Sequence, residues 1–242
     1  MGFERFVASD EAEYSFEVGG ESVTYHISSL DELRIIGYMH STEAPVLEDI
    51  VSHVSADDSF LDVGANVGIY AAVAGTVGAS AVAVEPIQQN VVKARKNLEL
   101  NCDDWETLPF AMGDGERVTQ MDADTLDGID DMASLGEGEV TVPMLDGDEM
   151  ISRYLDGTPS VLKIDVEGAE GYVIEGLEAT LRDDECRRVY LELHEGKIFG
   201  DETADSICET LSECGFEVST LHRRRNEMGS EQSDEKFVVA AK

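Results

Sequence analysis

The fold is decided by Phe60-Leu61-Asp62-Val63-Gly64-Ala65-Asn66-Val67-Gly68-Ile69-Tyr70, a short apolar run with one acidic residue, followed by two glycines four positions apart. This pattern predicts a buried strand that turns sharply into a helix. Gly64 can adopt the positive φ of a tight turn, and Gly68 allows the helix and the strand to approach closely. The first N–H groups of the helix then point without partners into the crevice beside the turn. The sequence therefore predicts a nucleotide-like ligand at this turn.

The residues around the turn favour one cofactor over another. A second apolar run ends in Glu85, 21 residues after Gly64, where a carboxylate can accept hydrogen bonds from ribose hydroxyls. Dinucleotide enzymes use G-x-G-x-x-G, whereas here Asn66 replaces the middle glycine and Asp62 precedes the first. An acidic residue there would repel a pyrophosphate but suits the ammonium of a methionine-like tail, which favours S-adenosylmethionine. The alternative for Asp62 and Glu85 is that each caps the next helix.

The charge of the chain is far from balanced. Among 242 residues, 52 are acidic and 17 basic, which gives a formal net charge of −35, and the acidic residues are spread along the whole chain. Molar salt screens charges over about 3 Å, so we interpret this surface as that of a protein from a halophile. Duplex nucleic acid and anionic membranes both require Lys and Arg, and neither is expected as a partner.

Cysteine spacing and hydropathy indicate the compartment. The four cysteines have neither C-x-x-C spacing nor a nearby histidine pattern, as expected for reduced thiols of a cytosolic protein. The sequence shows no leader-like opening and no apolar run near the roughly 20 residues that a membrane helix needs. We expect a soluble, cytoplasmic protein without stable membrane insertion. The cysteines are Cys102, Cys186, Cys208 and Cys214.

Residues 1–56 are predicted to form a leading cap. Alternating apolar residues on both sides of Gly19-Gly20 indicate a two-residue hairpin, and two helical patterns follow. The cap either packs on one edge of the sheet or shapes the acceptor pocket. Residues 57–242 are predicted to form the domain that binds the cofactor, with a hairpin or loop insertion at about 115–148.

Five further apolar runs predict the remaining strands of the sheet. The run that contains Pro109 should lie at an edge, since proline lacks the N–H. The connection between the last two runs is too short for a crossover helix, so these strands must be antiparallel. A terminal antiparallel hairpin on a doubly wound α/β sheet is typical of the Rossmann-like class I methyltransferase fold, with strand order 3-2-1-4-5-7-6. The predicted strands are 107–112, 160–165, 188–194, 216–221 and 236–241.

Five motifs then follow the order found in one known family. They are F-L-D-V-G-A-N-V-G at 60–68, V-E-P at 84–86, N-L-E-L-N at 97–101, L-K-I-D-V-E-G-A-E at 162–170 and L-E-L-H at 191–194. Through these motifs the chain resembles the FkbM family of S-adenosylmethionine-dependent methyltransferases. The resemblance implies methyl transfer, commonly to an oxygen of a sugar, a lipid headgroup or another small metabolite.

The resemblance also implies which residues hold the cofactor. Glu85 would bind the ribose hydroxyls, and Asp114, just beyond the third strand, would contact the adenine. The residues around the methionine portion would be Asp62, Gly64, Ala65, Asn66 and Gly68. Two other functions remain open, a dinucleotide-dependent oxidoreductase and a non-catalytic cofactor-binding module.

Three residues are candidates for catalysis at the carboxyl ends of neighbouring strands, where α/β sheets place their ligands. We expect His194 to be the general base that takes a proton from the acceptor hydroxyl, and Asp165 to orient its ring. Glu167 would line the acceptor site. An alternative is that Asp165 and Glu167 hold a divalent metal, and another is that all three only cap the following segments.

Two further groups of charged residues are predicted to have partners. Lys163 lies within an apolar strand, and equal strand ends would place it beside Glu192, with Asp62 as the alternative partner. Three adjacent arginines, Arg223 to Arg225, either bind an anionic acceptor or balance nearby acidic residues.

Overall fold

The computed structural model describes residues 12–122, 134–135, 138, 140–200, 202–223 and 235–242. The strands are β1 (Ala12–Val18), β2 (Glu21–Ile27), β3 (Ser59–Val63), β4 (Ser80–Val84), β5 (Trp105–Leu108), β6 (Ala111–Gly113), β7 (Arg117–Asp122), β8 (Ser134–Leu135), β9 (Val140–Asp146), β10 (Val161–Ile164), β11 (Arg188–His194), β12 (Glu217–Arg223) and β13 (Glu235–Ala241). The helices are α1 (Leu30–Thr42), α2 (Ala44–His53), α3 (Ile69–Thr76), α4 (Gln88–Asn101), α5 (Gly147–Tyr154), α6 (Glu170–Gly176), α7 (Glu178–Arg182) and α8 (Ala204–Glu213).

A seven-stranded sheet forms the centre of the molecule, in the order β12-β13-β11-β10-β3-β4-β5. Strands β5, β4, β3, β10 and β11 run parallel, and β13 pairs antiparallel with both β11 and β12. This is the predicted order 3-2-1-4-5-7-6, with its terminal antiparallel hairpin. The prediction of a class I methyltransferase sheet is confirmed, and the carboxyl ends of the five parallel strands meet at one edge.

The third strand of this sheet is shorter than predicted. The run over 107–112 was expected to form one strand, but β5 ends at Leu108 and a separate strand, β6, begins at Ala111. Pro109 cannot donate to a ladder, and the N–H of Phe110 instead bonds the carbonyl of Leu108 at 3.1 Å. The chain turns there and leaves the central sheet, with β5 at its edge as expected from Pro109.

A second sheet follows this turn, in the order β6-β9-β7-β8. Arg117–Met121 pairs antiparallel with Val140–Met144, while β6 pairs parallel with β9. This sheet contains the described part of the segment predicted as an insertion. Residues 123–133, 136–137 and 139 of that segment lie outside the described residues, as do Arg224 and Arg225 of the arginine cluster.

The β1-β2 hairpin turns at Gly19 and Gly20, both with positive φ, as the sequence predicts. Its outer edge is satisfied by two asparagines of α4. Asn97 Oδ1 accepts from the N–H of His26 at 2.8 Å, and Asn101 Oδ1 accepts from the N–H of Thr24 at 2.9 Å. The N-L-E-L-N motif therefore attaches the hairpin to the helix that follows β4.

Apolar side chains cover both faces of the central sheet. On one face, β1, β2 and helices α1, α2 and α3 surround Phe60, Tyr190 and Phe237. On the other, helices α5 to α8 pack on Leu61, Leu162 and neighbouring aliphatic residues. Burial on both faces explains why the parallel strands appear in the sequence as nearly continuous apolar runs.

The four cysteines are free, and three of them are buried. Among the described residues, no helix combines the length and the apolar character needed to cross a membrane.

His40 provides a test of packing beneath the hairpin. Its ring stacks on Phe16 at 4.4 Å between centroids, and its Nε2 lies 3.0 Å from the hydroxyl of Tyr25. Burial lowers the pKa of His40 from 6.5 to about 4. Between these values the unfolded chain binds more protons, so this contribution to stability is complete above pH 6.5 and is lost as the pH falls toward 4.

Replacing His40 by Gln should reduce the loss of stability between pH 7 and pH 5, measured as denaturant midpoints in molar KCl. Equal losses in both proteins would contradict this account.

Salt dependence follows from the net charge of −35. We expect the chain to be folded in molar KCl and to lose its helical circular dichroism on dialysis into dilute buffer, because self-repulsion is then unscreened. Sucrose in dilute buffer is the control, since it favours compact states without screening charge. It should restore less structure than KCl. The same melting temperature in dilute buffer and in molar KCl would contradict the prediction.

Candidate active site

The turn after β3 brings two strand ends into contact. Gly64 has φ 77°, and its N–H and that of Ala65 both bond the carbonyl of Val84, at 2.9 and 3.0 Å. A Cβ atom added at Gly64 would lie 1.8 Å from the carbonyl oxygen of Asp165. Only glycine fits there. The close approach also places the end of β10 directly beside the turn.

Glu85 lies at the end of β4, as predicted, and its carboxylate is held by two backbone N–H groups. Oε2 accepts from the N–H of Asn66 at 2.9 Å, and Oε1 accepts from the N–H of Ile87 at 2.8 Å. Asn66 has φ 50°, in the left-handed region that asparagine tolerates better than most residues. The turn and the acidic strand end are thus fixed to each other.

A cavity of about 420 Å³ opens beside this turn, within the size range of small-molecule sites. Three groups of residues line it. The turn, the end of β4 and the start of α4 contribute Gly64, Ala65, Asn66, Glu85 and Asn90. The second sheet and the residues that lead into it contribute the apolar Phe110, Ala111, Met112 and Met144, and the ends of β10 and β11 contribute Asp165, Glu167 and Glu192. Residues of α1 also line the cavity.

S-adenosylmethionine fits these residues. The Glu85 carboxylate is positioned to accept from ribose hydroxyls, and Phe110, Ala111 and Met112 provide an apolar wall for an adenine ring. Gly64 and Ala65 line the cavity, and a side chain on Gly64 would collide with the backbone of Asp165. Gly64 therefore leaves its part of the turn free of a side chain.

Asp62 and Gly68 lie beneath the cavity and are not among the described residues that line it. Asp62 is fully buried; its Oδ2 accepts from the N–H of Ala71, and its Oδ1 bonds no described residue. Burial raises its pKa to about 7, against the opposing effect of Lys163. Gly68 is the N-cap of α3, with φ 79°, and lies against Leu98. The alternative that Asp62 caps the next helix therefore accounts for its Oδ2 but not for its Oδ1.

Asp114 is not at the cavity. It follows β6, outside the central sheet, and its Oδ1 lies 2.6 Å from Arg117 Nη2. The predicted adenine contact assumed that the third strand continues to Met112 within the central sheet. Because the chain leaves that sheet at Pro109, the wall of the cavity is made by Phe110 and Ala111 instead.

Lys163 is fully buried in β10, and the register predicted for it is wrong by two residues. It lies opposite Tyr190 on one side, instead of Glu192, and opposite Asp62 on the other. Its Nζ lies 3.3 Å from Asp165 Oδ2. Neighbouring parallel strands need not end at the same level, and β11 continues for three residues beyond the partner of the last β10 residue.

Asp165, Glu167 and His194 converge at the edge of the cavity. His194 Nε2 lies 3.5 Å from Glu167 Oε2 and 3.9 Å from Asp165 Oδ1. All three were predicted to meet at the carboxyl ends of the strands, and the structure brings them together. Glu167 has φ 51°, which is uncommon for a residue with a long side chain, and such backbone conformations concentrate at functional sites.

The residue that orients the imidazole is Glu170, which was not predicted to have this role. Its Oε1 lies 2.6 Å from His194 Nδ1, and both side chains are buried. The sequence motif contained Glu170, but an acidic residue at the start of a helix is also typical of a cap. Asp165, which was expected to orient the ring, lies on the side of the other ring nitrogen, with Oδ1 at 3.9 Å from Nε2.

The electrostatics of His194 differ from those expected of a free general base. Burial lowers its pKa, but hydrogen bonds to Glu167 and Glu170 and the charge of Asp165 outweigh this effect and raise the pKa to about 11. Burial acts to raise the pKa of Glu167, but its hydrogen bond to His194 and the charges of His194 and Lys197 together outweigh this effect and lower the pKa. With nothing bound at Nε2, the imidazole is therefore protonated at neutral pH and cannot accept another proton.

Helix α1 closes the cavity from the side of the hairpin. Arg34, Ile35, Tyr38 and Met39 all line it, and Tyr38 is 47% exposed. The sequence left two roles open for the leading segment, to pack on the sheet or to shape the acceptor pocket. Helix α1 lines the pocket and so contributes to its shape. Lys197 adds a second cationic side chain to the lining, 3.2 Å from Glu167.

Known proteins resemble this chain in sequence and in fold. The hexuronic acid methyltransferase AglP from Haloferax volcanii is 24% identical over 221 residues, which cover 90% of this chain and 89% of that protein. The methyltransferase FkbM from Methylobacillus flagellatus superposes with a TM-score of 0.53 at 13% identity, covering 87% of this chain. This chain spans about half of that structure, 52% of its length. An rRNA methylase from Streptococcus thermophilus superposes with a TM-score of 0.51 at 13% identity, covering 83% of this chain and 96% of the other.

The family model of the methyltransferase FkbM domain matches residues 62–218, from Asp62 of the turn to β12, which is more than half of the chain. The match includes the Gly64 turn, Glu85 and the cluster of Asp165, Glu167 and His194. The chain therefore belongs to the FkbM methyltransferase family, and it is an S-adenosylmethionine-dependent methyltransferase.

Proposed function

We propose that this enzyme transfers a methyl group to a hydroxyl oxygen of a hexuronic acid within a saccharide. The observation that carries the proposal is the cavity in which the Gly64 turn meets Asp165 and Glu167, with His194 next to these two carboxylates. The substrate class is supported by the relative from Haloferax volcanii, which acts on hexuronic acid. Two cationic side chains, Arg34 and Lys197, line the cavity among acidic ones and can face the carboxylate of such a sugar.

The cofactor part of the site is proposed to consist of the turn and two walls. Glu85, held by the N–H groups of Asn66 and Ile87, binds the ribose, while Gly64 and Ala65 present backbone to the methionine portion. Asp62 supports the turn from below through its bond to Ala71. When bound, the cofactor supplies a methyl group on a sulfonium, which is already activated. The protein then has to align the acceptor oxygen and accommodate the loss of its proton.

The acceptor part is proposed to lie between α1 and the strand ends. Asp165, Glu167 and His194 converge at the edge of the cavity, and the acceptor oxygen would sit next to this cluster, beside the turn. In the transfer, this oxygen forms a bond to the methyl carbon while the carbon–sulfur bond breaks, and the hydroxyl proton leaves. A neutral His194 is not available for this proton, because its pKa is raised to about 11.

Arg34 is proposed to bind the carboxylate of the hexuronic acid. It is an exposed residue of α1 that lines the cavity, and a guanidinium matches a carboxylate in charge and geometry.

We expect the replacement of Arg34 by Gln to raise the KM of a hexuronic-acid acceptor about tenfold, equivalent to about 1.4 kcal/mol. The KM of the matching neutral hexose acceptor should not change. Arg182→Gln is the matched control, because Arg182 is an exposed arginine of α7 that does not line the cavity. An equal change for both acceptors would contradict the role.

Tyr38 is proposed to form a platform for the sugar ring. It lies one helical turn after Arg34 and is 47% exposed, so its ring can pack on the apolar face of a saccharide. Replacing Tyr38 by Ala should raise the KM of acidic and neutral acceptors alike, by about threefold to tenfold. Tyr14→Ala is the control, because Tyr14 is equally exposed, at 44%, but lies on β1 and does not line the cavity. Equal effects of the two variants would contradict the role of Tyr38.

The same proposal includes the enzyme's surroundings. A chain with net charge −35 is a poor match for duplex nucleic acid, so a saccharide is favoured over a polynucleotide as acceptor. A cytoplasmic location agrees with four free cysteines.

A further inference from the structure

Three potential metal ligands are arranged around a single point. Asp165, Glu167 and His194 each offer one ligand atom, and these three atoms all lie within 4.8 Å of one another. His194 Nε2 lies 3.5 Å from Glu167 Oε2 and 3.9 Å from Asp165 Oδ1. Ligand atoms at about 2.1 Å from a common cation lie roughly 3–4 Å apart. Small side-chain rotations would therefore bring the three atoms onto one ion.

The surrounding residues hold each ligand in a suitable orientation. Glu170, fully buried, binds His194 Nδ1 at 2.6 Å and is itself held by the N–H of Gly168 at 3.1 Å, which directs Nε2 toward the two carboxylates. A carboxylate behind the second ring nitrogen is the usual outer partner of a metal-bound histidine. Lys163 lies 3.3 Å from Asp165 Oδ2, so the other oxygen, Oδ1, faces His194.

The same point is open to the cavity. Asp165 and Glu167 line it together with Gly64 and Ala65, so a cation held there would adjoin the methionine end of the cofactor. Three ligands from the protein leave coordination positions for a substrate. An acidic sugar that enters a cavity lined by Glu85, Glu167 and Glu192 meets like charges, and a cation would offset this repulsion.

We propose that Asp165, Glu167 and His194 bind a divalent cation such as Mg²⁺ or Mn²⁺, which coordinates the hexuronic acid through its carboxylate and the hydroxyl that is methylated. The inference rests on the proposed function for the identity of the acceptor. Coordination makes the hydroxyl more acidic, so that its proton passes to water at the mouth of the cavity. The oxygen then forms its bond to the methyl carbon as the carbon–sulfur bond breaks, and S-adenosylhomocysteine leaves.

The test measures Mn²⁺ binding directly, by electron paramagnetic resonance of the full chain after treatment with chelator and in molar KCl. We expect one tightly bound Mn²⁺ per chain, with affinity at least 100-fold weaker in Asp165→Asn and in Glu167→Gln. Glu170→Gln should weaken it about tenfold or more, as second-layer partners of metal ligands do. Asp156→Asn is the matched control for non-specific binding, because Asp156 is an exposed acidic residue just after α5 that does not line the cavity. Circular dichroism verifies that each variant is folded.

Binding that is absent, or equal in the wild type and in both ligand variants, would overturn the inference. Calorimetric titration with S-adenosylmethionine and methyl transfer in the presence of chelator separate the two proposals. Transfer to a hexuronic acid that persists undiminished in chelator would refute the cation and leave the proposed function standing. Tight Mn²⁺ binding in a protein that methylates neither the acidic nor the neutral sugar would support the cation site and refute the proposed acceptor.

Discussion

Replacing Gly64 by Ala is expected to abolish measurable binding of S-adenosylmethionine and to lower stability by more than about 3 kcal/mol. The added Cβ would lie 1.8 Å from the carbonyl oxygen and 2.8 Å from the carbonyl carbon of Asp165, both backbone atoms. Relief of this contact requires β3 and the end of β10 to separate. The separation would displace the backbone that lines the cavity and the Asp165 carboxylate together. Calorimetric titration with the cofactor and denaturant unfolding in molar KCl measure the two effects.

Gly20→Ala is the matched control for the backbone conformation alone. Gly20 also has positive φ, 98°, but a Cβ there meets no atom within 4 Å. The control should lose about 1–2 kcal/mol from the unfavourable φ and bind the cofactor normally. If Gly64→Ala loses no more stability than Gly20→Ala and still binds the cofactor, the close contact of the turn with Asp165 is not required.

Replacing His194 by Gln is expected to lower kcat by about 10²-fold or more while leaving the dissociation constant of S-adenosylmethionine within about twofold. His194 Nε2 belongs to the cluster beside which the acceptor oxygen is proposed to sit, and no contact to the cofactor portion of the cavity is assigned to it. Gln keeps a polar group beside Glu170. An alanine would instead leave the buried carboxylate of Glu170 without its partner.

His53→Gln is the control, because His53 is an exposed residue at the end of α2. It should retain normal turnover. Single-turnover measurements with saturating cofactor separate the chemical step from product release. Near-normal kcat in His194→Gln would remove His194 from the catalytic cluster, and a large loss of cofactor affinity would place it in the cofactor site instead.

The order of the central sheet could be predicted because its determinants are local. Strands buried on both faces appear as short apolar runs, and the short link between the last two runs forces them to be antiparallel. The tight turn at Gly64 is equally local, since positive φ and close approach both select glycine. These features need no knowledge of distant contacts.

The corrected predictions all depend on tertiary structure. Pro109 marks an edge strand, but it did not reveal that the chain leaves the sheet, and Asp114 is consequently displaced from the cavity. Equal strand ends were assumed for β10 and β11, although β11 is longer, and Lys163 consequently lies beside Asp62 and Asp165. Glu170 was part of a recognised motif, but its contact with His194 joins residues 24 positions apart.

The most direct test of the account is the transfer of label from methyl-labelled S-adenosylmethionine, in molar KCl, to a matched pair of saccharides. One saccharide ends in a hexuronic acid and the other in the corresponding neutral hexose. We expect label on the acidic sugar, in an ether linkage that survives mild alkali, as a methylated hydroxyl would. Preferential labelling of the neutral sugar, or of neither, would contradict the proposed acceptor. Label that is released by alkali would show an ester on the carboxylate, and would contradict the hydroxyl as the methylated group.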